Sequence, residues 1–171
     1  MIACGTLTSG SECLLERILC SGRGNSVFRR DAVWESLQTE AIVEADSEPL
    51  LRSRIEQLVL ARESFADGLA MMLSRQLADA GFDSSGLYHQ FREVLAEDPA
   101  VVQSARDDLH AITANDPAVS SLLHPYLNFK GFHALQAHRI AHALWMNERP
   151  GLAYHIQNRV SEVFSVDQCW K

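Results

Sequence analysis

The amino-acid sequence predicts an all-α fold, a multi-helix bundle of about seven or eight helices with no β-helix. From Asp31 onward, apolar residues recur at intervals of three and four, as on the buried face of a helix. Short polar connections rich in Asp, Ser, Gly and Pro separate these segments, and no segment alternates like a strand for long. With 171 residues, 47% of them hydrophobic, the chain can bury one ordinary core.

The first three helices are predicted from start signals and apolar stripes. Asp31 is expected to cap the first helix, and Ser47 with Pro49 to start the second. The third is expected from Ser64 to Ala80, with Gly81 as a left-handed terminating residue. The buried positions expected on the first two helices are Val33, Trp34, Leu37, Ala41, Ile42 and Ala45, and then Leu50, Leu51, Ile55, Leu58 and Val59.

The later helices follow the same signals. A short fourth helix carries Leu87 to Leu95, Asp98-Pro99 caps a fifth, and Asp116-Pro117 repeats that cap chemistry. The last two helices are expected from Lys130 to Asn147 and from Pro150 to Ser165. The predicted organisation is a flexible amino-terminal arm (1–30), a helical domain (31–167) and a divergent tail (168–171).

Charge and composition exclude several classes of protein. A formal charge of -7 disfavours nucleic acid and anionic lipid as partners. The amino-terminal stretch does not fit a signal peptide, and no apolar run approaches the roughly 20 residues that span a membrane. Four cysteines without a CxxC pair fit a reducing compartment. The expected location is therefore the cytoplasm, with no membrane partner.

Several ionisable residues on the predicted helices could carry chemistry. His138 and His142 are four residues apart and could face the same way on a helix, with His133 nearby, but the remaining ligands of a metal site are missing. The alternative is that these histidines complete hydrogen bonds in a packed interface. No metal site is predicted. Asp107 and Asp108 are adjacent, point to different sides of a helix, and are expected on a solvated face.

Three segments carry a resemblance to a known family. Asn115-Asp116-Pro117-Ala118-Val119 is followed by HPYLNFKGFHALQAHRIAHALW, from His124 to Trp145, and then by Ile156-Gln157-Asn158-Arg159-Val160-Ser161. Their order and spacing resemble the amino-terminal helical domain of the serine acetyltransferases over roughly residues 31–167. In that family a left-handed β-helix of glycine-rich hexapeptide repeats follows. This chain has nine glycines and no such repeat, so it is expected to end before the β-helix.

The resemblance implies an activity for the intact family. Serine O-acetyltransferases move the acetyl group of acetyl-CoA onto L-serine in cysteine biosynthesis, assemble as dimers of trimers, and partner with cysteine synthase. Their general-base histidine, its aspartate partner and the CoA groove belong to the β-helix part. The chain is therefore expected to be the helical oligomerisation domain, with no catalytic residue and no cofactor site of its own, and to be inactive alone.

The resemblance also implies a substrate site. Asp116 matches the family aspartate that helps to hold the substrate serine, through its ammonium group, and Pro117 lines the same site. The alternative for Asp116 is a helix cap, as at Asp98, and the two functions are compatible. An alternative for the whole chain is a stand-alone truncated interaction module that co-assembles with full-length subunits.

Overall fold

The structure, a computed structural model, describes residues 31–166, and the predicted arm (1–30) and tail (168–171) lie outside that range. The helices are α1 (Ala32–Ser47), α2 (Pro49–Ile55), α3 (Phe65–Leu77), α4 (Ser84–Glu97), α5 (Pro99–Asn115), α6 (Leu123–Asn128), α7 (Lys130–Met146) and α8 (Pro150–Phe164). A π-helical segment, Glu56–Leu60, continues α2. Eight α-helices and no strand occur within residues 31–166, which confirms the predicted fold class.

Side-chain caps start three of these helices, α1, α3 and α5, at the positions that the sequence predicts. Asp31 Oδ1 accepts from Trp34 N at 3.2 Å, and Ser64 Oγ accepts from Asp67 N at 3.2 Å. The start of α2 differs from the prediction. Glu48 supplies its cap, whereas the Ser47 hydroxyl donates back to the carbonyl of Glu44 in α1. Each such cap satisfies an amide that has no partner within its own helix.

The end of α3 also differs from the prediction. The helix stops at Leu77, and Gly81 does not have the left-handed backbone expected of it. Instead, Asp79 Oδ1 accepts from the amides of Gly81 and Phe82, at 2.7 and 2.9 Å. A carboxylate that binds two successive free amides makes the turn without a positive φ angle.

One continuous apolar core lies beneath all eight helices. The prediction was wrong for Leu50, whose side chain is 90% exposed, and for Ile42, which is 53% exposed. Helix α7 buries Phe132, Ile140 and Leu144 and packs extensively against α8. Core packing, rather than helical periodicity alone, therefore decides which apolar positions are covered.

Helix α3 approaches α1 and α6 closely at Gly68. The indole of Trp34, the ring of Phe65 and the ring of Tyr126 meet there, with centroids 5.9 to 6.4 Å apart. A Cβ atom on Gly68 would lie 2.6 Å from Tyr126 Oη, 2.8 Å from Trp34 Cη2 and 3.0 Å from the carbonyl oxygen of Leu58. Only glycine lets three helices share this junction.

Candidate functional site: the Asp116 turn

Both predicted site residues, Asp116 and Pro117, lie in one turn directly after α5. We define the Asp116 turn as residues 116–119. The amide of Asp116 donates to Ile112 O at 3.0 Å, which closes the last turn of α5. Its carbonyl oxygen accepts from Val119 N at 3.0 Å, and its Oδ1 accepts from Ala118 N at 2.9 Å. Asp116 is partly exposed and Pro117 is exposed.

The cap chemistry expected at Asp116 is present, but the helix expected to follow it is not. Asp98 makes the same local bond, from Ala100 N at 3.0 Å, and starts α5. After Pro117 the chain makes a single turn, and the next helix begins at Leu123. One Asp116 oxygen thus holds the turn, and a carboxylate has about four acceptor positions, so further hydrogen bonds are possible.

Helix α5 is anchored against α7 through Asp108. Gln136 Nε2 donates to Asp108 Oδ2 at 2.8 Å, and Arg139 forms an ion pair with the same carboxylate. The side chains of Asp108 and Arg139 are only 24% and 25% exposed, so the predicted solvated face is wrong for Asp108. It is correct for Asp107, which is exposed and accepts from Gln103 within α5 at 2.9 Å. Sequence reasoning missed Asp108 because its partners lie 28 and 31 residues away.

The segment that leaves the Asp116 turn is held at its far end by α1. Glu40 Oε2 accepts from Leu123 N at 2.8 Å and thereby caps α6 from a distant part of the chain. Ser121 Oγ accepts from His124 N at 3.2 Å, and Val119 is buried. The Asp116 turn is therefore held between two fixed helices, and the position of its carboxylate is set by the fold.

The charge distribution at the Asp116 turn suits a cation. The last carbonyl groups of α5 point toward this end of the helix, where the helix dipole is negative. The Asp116 carboxylate adds a full negative charge there, and Pro117 has no amide hydrogen to donate. The site therefore presents acceptors to a ligand such as an ammonium group.

The histidines of α7 have different environments. His133 is buried, and its Nε2 lies 2.8 Å from the carbonyl oxygen of Tyr126. Burial lowers the pKa of His133, and the hydrogen bond to Tyr126 opposes this shift only in part. The neutral form of the ring is therefore favoured. This confirms the packing role for His133. His138 and His142 line an open cavity of ≈ 520 Å³ beside α7. Within residues 31–166, His, Cys, Asp and Glu form no group of three that could hold a metal ion.

Residues 31–166 thus form an all-helical domain with an acceptor-rich turn at the end of α5. A sequence profile described as "Serine acetyltransferase, N-terminal" matches residues 33–137, more than half of the chain and including the Asp116 turn. The chain therefore belongs to the serine acetyltransferase family, through the amino-terminal domain of that family.

Known relatives agree with this assignment. Serine acetyltransferase 1, chloroplastic, of Arabidopsis thaliana is 42% identical over 137 residues, covering 80% of this chain and 44% of the relative. The crystal structure of Neisseria gonorrhoeae serine acetyltransferase in complex with serine is similar with a TM-score of 0.78 and 41% identity, covering 79% of this chain and 56% of that one. A serine acetyltransferase in complex with CoA is similar with a TM-score of 0.78 and 34% identity, covering 80% and 58%.

The chain spans about half the length of the relatives that it matches. The profile that matches describes the amino-terminal part of the family, and the family uses acetyl-CoA as a substrate. None of the helices between residues 31 and 166 has the length and apolar character needed to cross a lipid bilayer.

Proposed function

We propose that this chain is the helical oligomerisation domain of a serine O-acetyltransferase and contributes to its serine site. The reaction is acetyl-CoA and L-serine to O-acetyl-L-serine and CoA, in cysteine biosynthesis. The observation that carries the proposal is the position of the Asp116 turn within the family match, on a fold similar to a relative solved with serine. We propose a cytoplasmic location and the domain organisation given by the sequence, with the helical domain over 31–167.

Asp116 is proposed to bind the ammonium group of L-serine. Its carboxylate lies at the negative end of α5, and Oδ1 is oriented by the amide of Ala118 at 2.9 Å. Pro117 is exposed beside it and is proposed to line the same site. The Asp108–Arg139 pair and the Glu40 cap hold the two ends of this region, which favours accurate placement of a substrate group.

The chemical step is proposed to depend on the hexapeptide-repeat part of the intact family. A serine hydroxyl is a poor nucleophile near neutral pH unless a base is positioned to take its proton. The Asp116 turn supplies acceptors for the ammonium group, and no role in proton transfer is assigned to it. We therefore assign no catalytic residue, cofactor site or metal site to these 171 residues and expect them to be inactive alone.

Self-association is proposed as the second role of the helices. Ile42, Val43 and Leu50 are 53%, 66% and 90% exposed, so three large apolar side chains are uncovered near the α1–α2 junction. We propose that this surface supports the dimer-of-trimers assembly, and that cysteine synthase binds through the intact enzyme. The same surface favours the alternative function, a stand-alone module that co-assembles with full-length subunits.

Substitution of Asp116 tests the serine site. The test uses a chimeric enzyme, in which the helical domain of this chain replaces the matching helices of the Escherichia coli serine acetyltransferase. That relative is 39% identical to this chain over 137 residues. Asp116→Asn keeps an oxygen for Ala118 N but removes the charge. We expect the KM for L-serine to rise about 10- to 100-fold, because a charge-assisted hydrogen bond contributes a binding free energy of that size. The KM for acetyl-CoA should be unchanged.

Asp98→Asn is the matched control, because Asp98 makes the same local bond within an Asp-Pro step. Its KM for L-serine should stay within about twofold of the unsubstituted value. Equal effects of the two substitutions would show that Asp116 serves only as a turn residue.

Two measurements on the chain itself test the remaining parts of the proposal. Purified chain mixed with acetyl-CoA and L-serine should release no CoA thiol above background. Clear turnover would contradict the proposal that the chemical step depends on the hexapeptide-repeat part of the intact family. Light scattering should show an assembly larger than a dimer, and a monomer would contradict self-association. Stable incorporation into full-length Escherichia coli enzyme on mixing would favour the co-assembly module.

A further inference from the structure

A small cavity lies between α1, α2 and α6, apart from the Asp116 turn. Its volume is ≈ 110 Å³. Leu51, Ile55, Leu123 and Leu127 form an apolar wall, and Glu44 of α1 and Arg54 of α2 bring opposite charges to the same cavity. Ser121, His124 and Asn128 complete the lining, so an apolar wall faces several polar groups. Small-molecule sites commonly combine an apolar surface with polar groups that fix the orientation of the ligand.

The Arg54 guanidinium is held in place. Its Nη2 donates to the carbonyl oxygen of Leu127 at 2.7 Å, so the side chain crosses from α2 to α6. A guanidinium has five N–H donors in a fixed plane, and this bond uses one of them. The remaining donors suit a carboxylate, which such a group binds with two parallel hydrogen bonds.

Glu44 supplies the complementary charge from α1. A ligand that carries both a carboxylate and an ammonium group would match Arg54 and Glu44 together, and its aliphatic part would contact the leucine and isoleucine wall. A volume of ≈ 110 Å³ admits a molecule of several non-hydrogen atoms and excludes nucleotides or CoA.

We propose that this cavity is a binding site for a small aliphatic amino acid, with Arg54 on the carboxylate and Glu44 on the ammonium group. It is distinct from the proposed serine site, since no residue of the Asp116 turn lines it. The ligand needs no hydroxyl group and undergoes no reaction.

Titration of the full chain with L-valine tests the proposal. In ¹⁵N-labelled protein, the amide signals of residues 51–55, 123–124 and 126–128 should shift and saturate, with a Kd on the order of 1 mM for so small a ligand. Isovalerate and isobutylamine, each lacking one of the two charges of L-valine, should bind at least about tenfold more weakly. Arg54→Gln and Glu44→Gln should weaken L-valine binding by a similar factor.

Arg52→Gln and Asp46→Asn are matched controls. These residues form an ion pair on the same two helices, with Arg52 Nη2 and Asp46 Oδ1 2.8 Å apart, and neither lines the cavity. Both variants, and Asp116→Asn, should bind L-valine normally. The proposal is overturned if L-valine causes no saturable shift, if Arg54→Gln and Glu44→Gln bind as the unsubstituted chain does, or if Asp116→Asn abolishes binding.

Discussion

Replacement of Gly68 by alanine provides the sharpest test of the packing. The added Cβ would meet Tyr126 Oη at 2.6 Å, Trp34 Cη2 at 2.8 Å and Leu58 O at 3.0 Å. All three neighbouring residues are buried, and Leu58 O is a backbone atom that cannot rotate away. Overpacking of this kind costs about 3 kcal/mol, and the better helix propensity of alanine returns about 1 kcal/mol. The expected net loss in the free energy of unfolding is about 2 kcal/mol.

Thermal and urea unfolding, followed by circular dichroism, would measure this loss. For a domain of this size, 2 kcal/mol corresponds to a fall in Tm of roughly 6–10 °C. Gly131→Ala is the matched control, because it also lies in a helix and its Cβ would meet nothing within 4 Å. That variant should be unchanged or more stable by up to about 1 kcal/mol.

Substitution of Tyr126 tests whether its hydroxyl oxygen causes the loss of stability in Gly68→Ala. Its buried hydroxyl has no hydrogen-bond partner among the described residues, so Tyr126→Phe alone should be nearly neutral. Combined with Gly68→Ala, it should recover part of the loss, because the contact at 2.6 Å is removed. If Gly68→Ala were as stable as Gly131→Ala, the close approach of α3 to α1 and α6 would be refuted.

Asp108 of α5 and His133 of α7 provide two further tests. Asp108→Ala should lower the free energy of unfolding in urea by about 1–3 kcal/mol, because it leaves Arg139 without its carboxylate, whereas Asp107→Ala should stay within about 0.5 kcal/mol. Equal losses would contradict the anchoring role of Asp108. Burial lowers the pKa of His133 in the folded state, so the unfolded chain takes up the proton first and stability should fall as pH drops below about 6.5. Urea unfolding at several pH values between 7.5 and 5 should show that the free energy of unfolding falls less with pH in His133→Gln than in the unsubstituted chain. The same dependence on pH in both proteins would contradict this expectation.

The sequence predicted what depends on near neighbours along the chain. Asp31 and Asp98 cap helices as expected, and Ser64 lies at the predicted start of α3, because a capping oxygen reaches an amide only two or three residues ahead. The prediction was wrong at Gly81 because a nearby carboxylate, Asp79, satisfied the free amides first. Local rules identify the candidates at a helix end, and competition between them decides the outcome.

The position of the candidate site required the tertiary structure. The Asp116-Pro117 step and the family resemblance could be recognised in the sequence, but nothing local showed that the helix after it would be missing. Glu40, 83 residues from Leu123 along the chain, caps the start of α6 there, and Asp108 fixes α5 against α7. Such contacts have no periodic signal because the partners are distant along the chain.

The sequence by itself determined the all-α class, most helix starts and the family, because these depend on spacing within one or two helical turns or on an unbroken motif. Only the tertiary structure decided that Leu50 is exposed, that Asp108 is paired and that Glu44 and Arg54 share a cavity. Burial and charge pairing depend on which helices become neighbours, and that choice is made by the packing of the whole core.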